Sequence, residues 1–349
     1  RSLSSAAMAG RSSWVRTLLR AAMWSTAAVL VVVAAAAAAA WLWLDRPLPL
    51  AAARVELSVE PGTNPRAVAQ AWVDAGVMVP PRLLYEWFRW SGQARHIRAG
   101  SYEIHAGATP RSLLDKMVRG DETLEQVRFI EGWTLRQLRA ELARAPHLRP
   151  ASAGMSDAEL MVALGAPGVP AEGRFFPDTY AYSRGVSDLT VLRRAHRTMQ
   201  RRLDEVWAER APDSPLKSPD EALILASIVE KETGRPEERG LVAGVFVNRL
   251  RIGMLLQTDP TVIYGLGEAF DGNLRKRDLL ADGPYNTYTR GGLPPTPIAL
   301  PGLASLRAAV RPQPTKALYF VSRGDGTSHF SETLAEHNRA VNRYQRGGR

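Results

Sequence analysis

The sequence predicts an α+β protein: one N-terminal transmembrane helix, then strand–helix modules, then a mixed α/β domain. Three observations carry this. Residues 21–44 hold no charged side chain. Between residues 54 and 138 an alternating strand, a turning glycine, a capping residue and an amphipathic helix recur three times. From about residue 151 the pattern changes to longer helices of mixed character, interspersed with short strands and Pro/Gly-rich loops.

The 24 residues 21–44, AAMWSTAAVLVVVAAAAAAAWLWL, are long enough to cross a hydrocarbon layer. Trp24, Trp41 and Trp43 sit near the ends, as interfacial aromatics do. Residues 1–20 carry Arg1, Arg11, Arg16 and Arg20 and no acid, so this flank is expected in the cytoplasm and the rest outside. The alanine run also offers cleavage sites of a signal peptide. The length of the apolar run, and the tryptophans that follow the alanines, favour an uncleaved anchor. Residues 45–53, DRPLPLAAA, read as a linker.

The first strand–helix unit is 54–59, followed by Gly62, Asn64 and Pro65. The second is 101–105, followed by Gly107, Thr109 and Pro110. The third is 126–130, followed by Gly132, Thr134 and Leu135. Asn or Thr as cap, with Pro or Leu at the first helical position, is a helix-start signal, and such units are expected to stack on one another. Between the first two lies LLYEWFRW (83–90), whose aromatics suit either a core or the faces of sugar rings. Further on, EGRFFPDTYAY (172–182) reads as an aromatic turn or strand. Asp188 opens a long amphipathic helix with Leu189, Val191, Leu192, Met199, Leu203 and Trp207 on its buried side.

Ser218-Pro219-Asp220-Glu221 caps the next helix, which is apolar on every side from Leu223 to Val229 and is therefore expected to be buried. It runs into Glu230, Lys231 and Glu232 and is ended by Gly234 and Pro236. Glu232 lies seven residues beyond Leu225 and four beyond Ile228, on their face, while Glu230 points the opposite way. A carboxylate there is disfavoured as an anion by desolvation and by the negative end of the helix dipole. That is the setting of a general acid. The plainer alternative is a solvated, salt-bridged helix end. With Glu232 as the acid, Glu230 is expected to be a structural partner of an arginine such as Arg235 or Arg249. A helix striped with Val242, Val245, Phe246 and Leu250 follows, and then the polar run Gln257-Thr258-Asp259-Pro260-Thr261. The loop 285–298, YNTYTRGGLPPTPI, is rich in Pro, Gly and hydrogen-bonding side chains and reads as the lining of a site. A helix over 301–311, a hairpin about Gly324-Asp325-Gly326, and a last helix with His337, Asn338 and Tyr344 complete the chain.

Composition narrows the chemistry. With 45% hydrophobic and 23% charged residues, the 349-residue chain is globular and can hold one large domain or two ordinary ones. It has no cysteine, which excludes thiol nucleophiles, Cys-ligated zinc and disulfides. The net charge of +10 is spread evenly, with no basic–aromatic cluster marking a nucleic-acid face. The six histidines form no H-x-x-x-H pair, so neither a metal nor another cofactor is expected. Ser227 has no G-x-S-x-G elbow. What remains is carboxylate chemistry at Glu232, with an amide, hydroxyl and aromatic inventory suited to sugars: Gln257, Thr258, Tyr285, Asn286, Thr287 and Tyr288. Asp259 is either a second catalytic carboxylate or the cap of the helix it heads.

Two resemblances follow. VELSVEPGTNPRAVAQAWVDAGV resembles a LysM module, a family that binds N-acetylglucosamine-containing glycans; the alternative is a recurrent unit without a ligand. LASIVEKET, VFVNRLRIGMLLQTDPTVIYG, YNTY and GLPPTPIALPG, with EGRFFPDTYAY upstream, resemble the YceG-like family of endolytic murein transglycosylases through most of residues 55–344. This likeness implies an inner-membrane, single-pass, periplasmic lytic transglycosylase with a LysM-like part (54–125) before a catalytic part (126–349). Its substrate would be the MurNAc–GlcNAc β-1,4 bond of nascent strands, left with a 1,6-anhydro end. Its partners would be peptidoglycan, the membrane and cell-wall synthases. The family's catalytic residue is the second glutamate of E-K-E-T, which maps to Glu232. Beside it, the reading of the residues themselves expects Gln257, Thr258, Asp259, Tyr285, Asn286, Thr287 and Tyr288 to bind the substrate. Thr296 stands where the family's LPPGPI-type loop has a small residue. The rival expectations are a hydrolytic muramidase using Glu232 with Asp259, and a non-catalytic glycan-binding scaffold.

Overall fold

The computed structural model describes residues 5–347; the outermost residues of the predicted cytoplasmic flank, 1–4, and residues 348–349 lie outside it. The architecture is mixed α/β, with a long N-terminal helix. The chain divides into two compact units, 1–124 and 125–349.

In the first unit α1 (Ser5–Leu44) contains an apolar stretch, Met23–Leu44, of membrane-spanning length. Strand β1 (Arg54–Val59) leads through the Asn64 cap into α2 (Pro65–Asp74), and α3 (Pro81–Trp90) packs on α2. Strand β2 (Gly100–His105) pairs antiparallel with β1, Val55 opposite Ile104 and Leu57 opposite Tyr102, and α4 (Pro110–Arg119) follows with Thr109 and Ser112 as a capping box. Val55, Val68, Trp72, Leu84, Phe88, Tyr102, Leu113 and Met117 make the core. The aromatic stretch 83–90 thus divides: Phe88 is core, Trp90 faces out. Residues 45–53, read as a linker, are tied into the unit. Leu48 is buried and its N–H donates to Ala108 O (2.7 Å), while Ala51 N donates to Gly76 O (2.8 Å).

Strand β3 (Leu124–Arg128) begins on the last residue of the first unit and opens the second, followed by α5 (Leu135–Arg144), capped by a Thr134–Gln137 box. Here the structure departs from three stacked repeats. β3 pairs not with β1 or β2 but with β4 (Thr179–Ser183), and α5 packs into a core built with α6 (Asp157–Leu164) and the first half of α7 (Asp188–Ala208). Local sequence sets each strand and cap, whereas pairing depends on which apolar face each helix finds. A second core surrounds α8 (Pro219–Glu232), packed by α7, α9 (Arg239–Arg251) and α12 (Leu303–Val310). Every residue of α8 from Ala222 to Val229 is buried, as its all-round apolar sequence requires. Between α9 and α12 come α10 (Asp259–Leu266) and α11 (Lys276–Leu280). The hairpin β5 (Tyr319–Ser322) and β6 (Ser328–Ser331) and helix α13 (Leu334–Val341) close the chain.

Candidate active site at the end of the buried helix

α8 delivers Glu232 from the core to its edge. Thr233 is extended and its N–H closes on Val229 O, and Pro236 bars continuation of the helix. Ser227 and Glu230, three residues apart, face the other way and pin one loop. Ile298 N donates to Ser227 Oγ (3.0 Å) and Gly302 N to Glu230 Oε2 (2.9 Å). The arginine beside Glu230 is Arg239 of α9, at 3.4 Å, and neither of the two expected. Arg235 instead donates to Asp325 O (3.1 Å), and Arg249 is buried, donating to Leu318 O (2.7 Å) and Leu256 O (2.6 Å). Glu230 is therefore a structural brace, and the phase of the helix separates it from Glu232.

Glu232 receives the Thr258 hydroxyl on Oε1. Thr258 is the N-cap of α10, yet its side chain caps nothing, because the hydroxyl is turned to the glutamate. Asp259 is the first helical residue rather than the cap, and its Oδ1 accepts from Tyr288 OH at 2.5 Å. Gln257, just before, has φ +48°, a left-handed conformation unusual for a non-glycine residue. Thr287 locks this bend. Gln257 N donates to Thr287 O (3.0 Å), Thr258 N to Thr287 Oγ1 (3.1 Å), and Thr261 and Thr287 hydroxyls meet at 2.9 Å. Asn286 turns inward, its amide donating to Leu279 O (3.0 Å) and Ala281 O (2.6 Å) and its Oδ1 accepting from Tyr288 N (2.9 Å).

The sequence-selected residues therefore gather, but in two ways. Gln257, Asp259, Tyr285 and Tyr288 keep surface open, whereas Asn286 and Thr287 are buried and set the loop's shape. Tyr285 lies edge-on to Tyr264 at 4.9 Å, and its hydroxyl meets Thr296 Oγ1 at 2.7 Å. The threonine at the departing loop position thus becomes a hydrogen-bond partner of the site.

The environment favours a neutral Glu232. Burial of the carboxyl pushes its pKa up; the Thr258 donor opposes this, negative Asp259 adds to it, and Arg249 opposes it. Sequence reasoning took Arg249 only as a partner of Glu230. Its position inside an apolar stripe was the available signal that it serves something buried.

A cleft of about 870 Å³ adjoins this cluster, lined among others by Lys231, Pro260, Tyr264, Tyr285, Ile298 and Glu172. Glu232 is not itself part of that lining. Glu172, the acid of EGRFFPDTYAY, is buried and its pKa is pushed up to about 7, chiefly by desolvation. Both its oxygens are already engaged, accepting from Leu135 N (2.9 Å), Gly173 N (3.2 Å) and Tyr264 OH (3.2 Å). It ties the start of α5 to α10, while among the described residues the Glu232 carboxyl takes a single side-chain donor, Thr258. Because the folded state raises the Glu172 pKa, its contribution is fully present at acidic pH and is lost as pH rises from the unfolded value through about 7. Glu172→Gln is expected to flatten that decline, by up to about 3 kcal/mol at pH 8 if the whole shift is realised. Denaturant unfolding of both proteins at pH 5 and pH 8 measures it.

Among the described residues, no group of three or more His, Cys, Asp or Glu side chains is placed to hold a metal ion. The chemistry available is one partly buried acid beside hydroxyls, an amide and aromatic rings.

Comparison with known proteins gives three findings. The profile of the YceG-like family matches residues 57–343. An endolytic murein transglycosylase of Bacillus subtilis (strain 168) is 30% identical over 307 residues, covering 83% of this chain and 84% of the relative. One of Streptococcus pneumoniae serotype 2 (strain D39) is 25% identical over 325 residues, covering 82% of this chain but only 58% of that longer protein. Among solved structures, a crystal structure of a yceG-like protein from Listeria monocytogenes aligns with a TM-score of 0.54 at 28% identity, covering 82% of this chain and 98% of the other.

Proposed function

The chain belongs to the YceG-like family, and from that membership we propose that it is an endolytic peptidoglycan lytic transglycosylase, a carbon–oxygen lyase acting within nascent glycan strands. It cleaves the MurNAc–GlcNAc β-1,4 bond and leaves a 1,6-anhydro-MurNAc end, which ends elongation of the strand. The observation that carries this reading is Glu232, held at the end of a buried helix with its pKa raised and a single hydroxyl donor.

The reaction needs one carboxyl in two protonation states. Neutral Glu232 protonates the glycosidic oxygen as the bond to C1 breaks. The resulting carboxylate takes the proton from the C6 hydroxyl of the same muramoyl residue, whose oxygen closes on C1. The nucleophile is part of the substrate, so no second carboxylate is required, and intramolecular attack has a large effective-molarity advantage. Thr258 aligns the carboxyl in both states, since a hydroxyl can donate to the anion and accept from the acid. Gln257, Asp259, Tyr285 and Tyr288 offer the hydrogen bonds and ring faces that hold the sugars; Asn286 and Thr287 shape their loop. α1 anchors the enzyme in the inner membrane with its basic flank in the cytoplasm and the chain after residue 44 in the periplasm, near the synthases that make its substrate.

The test is the length distribution of isolated murein strands before and after incubation with the purified chain. Internal cuts shorten the distribution from the middle. A glycan-binding scaffold would bind the strands and leave their lengths unchanged.

A further inference from the structure

α3 carries three stripes. Leu84 and Phe88 face the core of the first unit. Leu83, Trp87 and Trp90, spaced i, i+4 and i+7, form a second face, of which Leu83 is 47% and Trp90 79% exposed. Arg82 and Arg89 form a third, both exposed, with Glu86 between them accepting from the Trp90 indole at 3.1 Å. A core face, an apolar outer face and a basic flank on one short helix are the layout of a segment lying in a lipid–water interface.

The neighbourhood says what covers the apolar face. Arg111 of α4 stacks over the Trp41 ring at 4.9 Å and lies over the Trp87 ring at 5.8 Å, and its Nε holds Asp45 at 3.0 Å. Trp41 belongs to the end of the membrane-length stretch Met23–Leu44, while Trp87 is the middle of the α3 stripe. Leu44 and Leu48 are buried and Trp43 packs against the core, so α1 joins the unit through packed residues rather than a free tether. A tryptophan at the end of a spanning helix sits at headgroup depth. The stripe that shares its arginine with that tryptophan lies at the same depth.

We propose that α3 lies on the bilayer surface, with Leu83 and Trp90 in the boundary of the acyl region and Arg82 and Arg89 at lipid phosphates. The enzyme then stands on the membrane by a fixed contact as well as by its anchor. This rests on reading α1 as a membrane anchor, and the test separates the two.

The chain has no cysteine, so single nitroxide labels can be placed without background. The full chain is reconstituted in nanodiscs of phosphatidylcholine with phosphatidylglycerol, carrying one label at a time through Leu83→Cys, Trp90→Cys, Arg82→Cys or Arg89→Cys. Val31→Cys marks the interior of the apolar stretch Met23–Leu44. Accessibility to oxygen, which concentrates in lipid, is compared with that to a water-soluble nickel chelate. The expected result is a deep signal at 31, oxygen-dominated signals at 83 and 90, and nickel-dominated signals at 82 and 89. A deep signal at 31 with water-exposed 83 and 90 overturns the α3 contact and leaves the anchor standing. Low accessibility to both reagents at 83 and 90 shows that protein covers the stripe, and also overturns it. A water-exposed 31 overturns anchor and contact together.

Discussion

Glu232→Gln is expected to lower the rate of strand cleavage by about 10²–10⁴-fold, the usual share of a general acid–base residue. The fold should survive the change. Glu232 lies past the last fully buried turn of α8, and an amide can still accept the Thr258 hydroxyl on its carbonyl oxygen. Removing a carboxyl whose ionisation burial disfavours should, if anything, raise the melting temperature. Activity and melting are thus expected to move independently, and that separates a chemical role from a structural one. Glu230→Gln supplies the contrast. It weakens the tie to Arg239 and Gly302 and should cost stability first. Full activity in Glu232→Gln on isolated murein would remove this residue from the chemistry.

The second large effect is on pH dependence. In the proposed mechanism the productive form of Glu232 is the neutral acid, so activity is expected to be full below its pKa and to fall as pH rises through it. Burial and Asp259 raise that pKa; Thr258 and Arg249 lower it. Thr258→Val removes a donor to the anion, so the alkaline limb should move to higher pH. The side chain at 258 does not cap α10, and Thr258 N keeps its bond to Thr287, so the variant should fold. Asp259→Asn removes a negative neighbour, so the limb should move to lower pH while activity on its acidic side persists. A muramidase needing Asp259 as its second carboxylate would lose activity at every pH. The opposite shifts of two adjacent substitutions are measurable in one set of kcat/KM profiles. Asp259→Asn also frees Tyr288, whose pKa is raised by burial and by the aspartate.

Much of this site was legible from spacing alone. The all-apolar run of α8 required burial, and its phase put Glu232 and Glu230 on different sides. Asn64, Thr109, Thr134 and Ser218 cap the helices they precede, because a cap is satisfied within three residues of itself. What the sequence left open depends on tertiary approach. Nothing local says that β3 pairs with β4, or that Arg239 rather than Arg235 or Arg249 meets Glu230. Asn286 has the same side chain whether it faces a sugar or the carbonyls of its own loop, and it takes the loop. Asp259 and Thr258 differ by one residue as candidate caps, and the choice of Thr258 frees its hydroxyl for Glu232. Glu172 sits in a motif dominated by aromatics, and its burial follows from the N–H groups of Leu135 and Gly173 that fold onto it.

The central claim is that the substrate's own hydroxyl, and not water, completes the reaction begun by Glu232. Cleavage of isolated murein strands in water labelled with heavy oxygen, followed by mass spectrometry of the released ends, tests it most directly. The account predicts muramoyl ends lighter by one water than a hydrolysis product and free of the label. Ends that carry one heavy oxygen for each bond cut would contradict it.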